Sequence, residues 1–143
     1  MSIHPLLYLE GIKEQIIVEW ADRLHTSNTS YAGRPIDELR LTTRECFEAY
    51  LAAVRGEDFE PLNRFIGRIV STRSSMNFPE HEVVDAFRIF RKIVSDHLLA
   101  GLMVKDVEIE SVSDVLDALF QVVDYAILRF SEIYYTTRAQ RPH

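Results

Sequence analysis

The sequence predicts an all-α fold, a helical bundle of about five helices with a long C-terminal helix. Three observations carry that expectation. Val112, Leu116, Leu119, Val123, Ala126, Phe130, Ile133 and Thr137 recur alternately four and three residues apart, a heptad seam on one continuous helix. The remaining apolar residues also fall into helical rows, separated by short polar stretches. No strand-like alternation of any length competes with them.

The first helix is expected over residues 5–24, with Leu9, Ile12, Ile16, Ile17, Trp20 and Leu24 inward and Glu10, Lys13, Glu14, Glu19, Asp22 and Arg23 outward. Residues 25–33 are rich in Ser, Thr and Asn and read as a loop, with Tyr31 the exception inside it. Pro35 suits a first helical turn, and Asp37 and Glu38 favour the positive end of the helix dipole. The second helix then runs to about Arg55 with Leu39, Cys46, Phe47, Tyr50, Leu51 and Val54 inward. Thr42 and Thr43 are where it would bend or split, and Gly56 is the expected C-terminal cap.

Asp58 opens a third, shorter helix through Leu62, Phe65, Ile66, Ile69 and Val70, and residues 74–77 form a turn. Pro79, Glu80 and Glu82 mark the next start. The fourth helix carries Val83, Phe87, Phe90, Val94, His97 and Gly101 at heptad spacing, flanked by Val84, Ile93 and Leu98. Residues 101–110 break the pattern, with a brief apolar–acidic alternation at Val104, Val107 and Ile109. In the final helix a second row, Phe120, Val123, Ile127, Phe130 and Tyr134, widens the apolar face, so more than one neighbour is expected against it. Asp114, Asp117, Gln121, Asp124 and Glu132 occupy the opposite face. No Gly stops this helix, and Pro142 arrives only at the end.

A chain of 143 residues suits one domain, and no repeat, low-complexity tract or linker divides it. The net charge of −6 disfavours a nucleic-acid binder, whose affinity comes mostly from Lys and Arg on phosphates. The lone cysteine, Cys46, rules out an intrachain disulfide and fits a reducing compartment. No apolar run is long enough to cross a bilayer, and residues 1–9 lack the form of a secretion signal. A cytoplasmic protein with no nucleic-acid or membrane partner is expected.

The order of features resembles a bacterial sensory module, the N-terminal domain of the RsbRD type. The resemblance lies in Trp20-Ala-Asp-Arg-Leu24, the Tyr31 loop, the Glu38-Leu39 helix start, Asp58-Phe-Glu-Pro-Leu62, Phe65-Ile66 and Arg73. It continues in Phe78-Pro-Glu-His-Glu-Val83 and Ala86-Phe-Arg-Ile-Phe-Arg91 and covers roughly residues 6–135. It implies an input module of the kind that precedes histidine kinase cores, or the sulfate-transporter-and-anti-sigma-antagonist domains of stress-signalling proteins. Related regulators carry a globin-like fold without haem, so a globin-like arrangement is implied as well. No catalytic core follows His143. On this resemblance the chain is a fragment ahead of its output domain, or an independent version of the module.

Several residues are weighed as sites. His97, on the inner row of the fourth helix, could bind a ligand, metal or haem iron or sense pH; a core-edge histidine hydrogen-bonded to a carboxylate or carbonyl is favoured instead. Di-iron bundles need Glu-x-x-His, which does not occur; Asp22-x-x-His25 and His81-x-x-x-Asp85 are the nearest approaches and read as solvated faces. Cys46 could sense redox state beside Arg40 or Arg44, but reads as a small core hydrophobe. Trp20, Tyr31, Tyr50 and Arg73, with His97, are the ligand-pocket candidates for an unidentified small molecule. Val112, Leu119, Ala126, Phe130, Ile133 and Tyr134 are the interface candidates, with Tyr135 and Arg138 beside them.

The expected function is a non-catalytic sensory or regulatory input domain that relays a signal through its C-terminal helix to a downstream domain or protein. A homodimer through the first or last helix is expected, and no cofactor. The alternatives are a haem- or metal-binding bundle and a purely structural protein-interaction adaptor. A helix-turn-helix regulator is disfavoured by charge.

Overall fold

The apolar spacing translates into helices with definite ends in the computed structural model, which describes residues 2–139. In order these are α1 (Pro5–Gly11), α2 (Lys13–His25), a 3-10 turn (Ser30–Gly33), α3 (Ile36–Gly56), α4 (Glu60–Ser75), α5 (Glu80–Met103) and α6 (Ile109–Ala139). The fold is an all-α bundle with a long C-terminal helix. Pro142 lies outside the described residues.

The first expected helix is two. The chain bends at Ile12, with φ −110° and ψ 18°, next to Gly11, which has no side chain to hold the helical backbone. Bonds from Ile12 N–H to Tyr8 O (3.2 Å) and Ile16 N–H to Ile12 O (3.1 Å) bracket the bend. The bend lays α1 on α5 and α6. Ile3 reinforces this by pairing with the α5–α6 loop: its N–H donates to Asp106 O and its carbonyl accepts from Glu108 N–H, both at 2.9 Å. Among the described residues, Ile3 and Val107 form the one isolated β-bridge.

α3, in contrast, does not split. The Thr42 and Thr43 hydroxyls donate back to Glu38 O (2.9 Å) and Leu39 O (2.8 Å), and the helix runs through them. Pro35 precedes the first turn rather than occupying it. The stop also differs from expectation. Gly56 is the last helical residue, and Glu57 takes the left-handed conformation with φ 55°. Asn77 (φ 61°) and Lys105 (φ 63°) do the same after α4 and α5. There, Phe78 N–H reaches back to Arg73 O and Asp106 N–H to Gly101 O, both at 2.9 Å, closing Schellman ends.

α6 is embedded rather than projecting. It packs against α5, α4 and α3, while α2 packs on α3 and α5. Its buried residues are Val112, Val115, Leu119, Val122, Val123, Ala126, Phe130 and Tyr134. The expected second row is corrected on one side: Phe120 is 40% exposed, beneath the Arg91 guanidinium, while Val115 and Val122 turn inward. A straight α-helix drifts about 20° per heptad from a 3.5-residue seam, so burial follows spacings of three, four, seven and eighteen. The acidic face opposite is exposed as expected.

One apolar cluster receives residues from every α-helix, with Leu6, Leu9 and Tyr8 contributed by α1. Gly101 marks its tightest crossing. A Cβ there would lie 2.7 Å from Val107 Cγ2 and 2.8 Å from Tyr8 Cζ, so any larger residue forces those side chains to shift where α1, α5 and the loop meet. No described helix is long and apolar enough to cross a membrane.

Candidate functional site

The last turn of α4 carries Arg73 into the interior, where its side chain is 2% exposed. Aromatic rings hold the guanidinium. Its carbon lies 4.8 Å from the Phe78 ring centre and 5.2 Å from that of Tyr31. The two rings meet edge to face at 4.9 Å. The Schellman end of α4 places Phe78, because its N–H bonds the carbonyl of Arg73 itself. Tyr31 is placed by the 3-10 turn. Buried Glu82 of α5 anchors that turn by accepting from Ser30 N–H (3.0 and 3.1 Å) and from Ser30 Oγ (2.6 Å).

Arg73 has weak polar company for a buried cation. Its Nη1 lies 3.6 Å from Met76 Sδ and 3.8 Å from Glu38 Oε2. Its Nε has no hydrogen-bond partner among the described residues. Glu38 is engaged elsewhere, since both its oxygens accept from Arg34 at 2.7 Å. That hydrogen-bonded pair holds the Glu38 carboxyl below the usual carboxylate range, with Arg73 adding to the effect. Burial pushes the Tyr31 phenol up to about 12, against the opposing pull of Arg73.

Beside Arg73 lies a cavity of about 30 Å³. Trp20 comes from α2, Tyr31 from the 3-10 turn, Thr42, Thr43 and Cys46 from α3, Phe65 and Ile69 from α4, and Val83, Ala86 and Phe87 from α5. Trp20 is fixed by its Nε1–H bond to Ala86 O (3.0 Å) and by stacking on Phe90 at 4.7 Å. This space holds a water or two. It is an order of magnitude below the roughly 300 Å³ at which drug-sized ligand pockets begin. A small polar or ionic guest fits; a haem does not.

Three of the five pocket candidates therefore meet: Trp20, Tyr31 and Arg73. The other two do not line the cavity. Tyr50 packs edge-on to Phe90 at 4.5 Å, and its hydroxyl is buried with no hydrogen-bond partner among the described residues. Burial raises its pKa well above the ordinary value. His97 sits at the rim of the core, with Nε2 2.8 Å from Glu19 Oε2 and its side chain 18% exposed. Heptad counting put His97 inside, but Val94 and Leu98 take the buried positions around it. Cys46 does line the cavity, and burial raises its thiol well above the ordinary range. The described residues hold no cluster of three or more His, Cys, Asp or Glu side chains able to bind a metal.

The interface candidates are also relocated. Val112, Leu119, Ala126, Phe130 and Tyr134 are buried within the chain itself, and Ile133 is partly buried against the same core. Tyr134 belongs to the site instead. Its hydroxyl donates to Phe78 O and accepts from Arg138 Nη1 (3.0 Å). Sequence reasoning missed Phe78, Thr43 and Glu82 as parts of this site. Thr43 carried a usable signal: it lies one turn after inward Leu39 and three residues before inward Cys46.

The segments that carry the family resemblance converge here: Trp20, Tyr31, Leu39, Phe65, Arg73, Val83 and Ala86 all line the cavity. Compared with known proteins, residues 14–142 match the family model described as the RsbT co-antagonist protein rsbRD N-terminal domain. No curated protein matches the chain, and no solved structure does.

Proposed function

The chain belongs to the RsbRD N-terminal domain family, a family of stress-signalling domains, and we propose that it is a non-catalytic input module whose state is read through α6. The output is a histidine kinase core or an anti-sigma-antagonist domain, in the same chain or in a partner protein. The module works in the cytoplasm.

One observation supports the relay above the others. The Arg73 guanidinium lies on the Phe78 ring, and the Phe78 carbonyl accepts the Tyr134 hydroxyl near the end of α6. Two residues thus connect the cavity wall to the helix expected to carry the signal. A second connection runs from cavity residue Phe87 to Phe130, with ring centres 6.2 Å apart. An event in the cavity changes output only if the two packings of these residues differ in free energy for that event.

Homodimerisation completes the reading. The buried seam of α6 is occupied by the fold, so the dimer uses its outer surface, where Leu128 is 65% and Tyr135 74% exposed. Light scattering on wild type and Leu128→Lys/Tyr135→Lys tests it: the dimer should be lost in the double variant. For the relay, Tyr134→Phe is introduced at the chromosomal locus and a general-stress reporter is followed. A changed basal or induced level, at unchanged protein abundance, is expected. An unaltered reporter refutes the relay.

A further inference from the structure

We propose that the cavity beside Arg73 binds one small inorganic anion, of the size of chloride or nitrate. The first reason is charge. Arg73 is 1% exposed, and among the described residues its nearest carboxylate is that of Glu38, with Oε2 3.8 Å from Nη1. Glu38 is committed to Arg34, and Glu82 turns its oxygens onto Ser30. Ring faces and a thioether stabilise a cation less fully than an anion in contact does, and a buried charge without a close partner is unfavourable.

The second reason is the donor set. Among the described residues the Arg73 Nε–H has no hydrogen-bond partner in the interior. Tyr31, on the same wall, brings a hydroxyl that interacts with Arg73 and that burial keeps protonated up to about pH 12. The Thr42 and Thr43 hydroxyls are already donating to helix carbonyls, and the rest of the wall is largely apolar. Such a wall offers donors and no competing carboxylate, and a poorly solvated anion gains most from donors in an apolar setting.

Size and access set the ligand class. About 30 Å³ admits a monatomic or small planar anion and excludes a phosphate ester or an organic acid larger than formate. An outer groove of about 160 Å³ borders the same place and shares Thr42, Phe65, Ile69 and Arg73 with the inner cavity. Arg73 therefore stands where the outer groove meets the inner space. Glu38 and Glu45 line that outer groove as well, so an anion entering this way passes two carboxylates before it reaches the guanidinium.

The proposal deepens the input-module reading and rests on it only for signalling meaning; binding is measured on the chain alone. Trp20 is the only tryptophan and lines the cavity, so its emission is the reporter. Wild type is titrated with sodium nitrate, a quencher, with sodium gluconate holding ionic strength constant. Saturable quenching, relieved competitively by sodium chloride, is expected. Arg73→Lys should raise the half-saturating concentration about tenfold, because an ammonium does not reproduce the guanidinium fork. Arg73→Gln should leave only linear, collisional quenching. Should Arg73→Gln not fold, the melting temperature of wild type in chloride against gluconate decides: it should rise with chloride by mass action. Linear quenching in wild type, equal to that of Arg73→Lys, or a melting temperature indifferent to chloride, overturns the site and leaves the family reading where it stood.

Discussion

Tyr31 carries the clearest chemistry at the level of single residues. Its phenol ionises at about 12 in the fold against about 10 in an unfolded chain. Folding thus favours the protonated form. The associated stability is present below pH 10 and is lost as pH rises from 10 towards 12. Two pKa units correspond to roughly 3 kcal/mol. Urea unfolding followed from pH 9 to 12 should show this loss in wild type and a shallower one in Tyr31→Phe, which keeps the ring on Arg73. Cys46 gives a second prediction. Buried at 1% exposure, with its thiol pushed up by burial, it should react with a thiol reagent only at the rate of unfolding. Fast labelling of the native protein would contradict that placement. Tyr31 was legible in the sequence because an aromatic in a run of Ser, Thr and Asn is out of place. Arg73 was named beside it as a pocket candidate, but the depth of its burial was not legible. A helix-terminal arginine reads as a solvated charge, and only the folded chain reveals that Tyr31 and Phe78 close over it.

Helices were legible from spacing and their ends were not. The stops after α3, α4 and α5 use Glu57, Asn77 and Lys105 in the left-handed conformation, and no glycine has a positive φ. A rule that looks for glycine therefore misplaces each end by a residue or overlooks it. Glycine matters at another place. Gly101→Ala adds a methyl at 2.7 Å from Val107 and 2.8 Å from Tyr8, and should cost about 1–3 kcal/mol. Gly67→Ala, in the interior of α4 with nothing within 4 Å of the new Cβ, should gain roughly 0.5–1 kcal/mol. Opposite signs from one substitution at two helical glycines can be read from denaturant midpoints. The α6 seam was legible in its existence and misassigned in its rotation. Val115 and Val122 replaced Phe120 because a globular bundle surrounds a straight helix instead of winding a partner around it.

The bundle as a whole depends on α6. Phe130 is fully buried between Phe87 and Tyr134, and Phe130→Ala should destabilise the fold by about 3–5 kcal/mol. Thermal melts of that variant beside Leu128→Ala, which is exposed, separate core from surface roles of the same helix. The all-α class and the family followed from the order of features along the chain. What covers the α6 seam did not, because a heptad seam looks the same whether its partner is another copy or the chain's own helices.

Ile3 and α1 lie upstream of residues 14–142, the part matched by the family model, yet they strap the loop that launches α6. The amino-terminal segment is consequently a clasp on the root of α6, far along it from Tyr134. Deleting residues 1–12 should unfasten that root, lowering the melting temperature while Trp20 keeps its buried emission. A protein joined ahead of Met1 would have its hand on the same clasp.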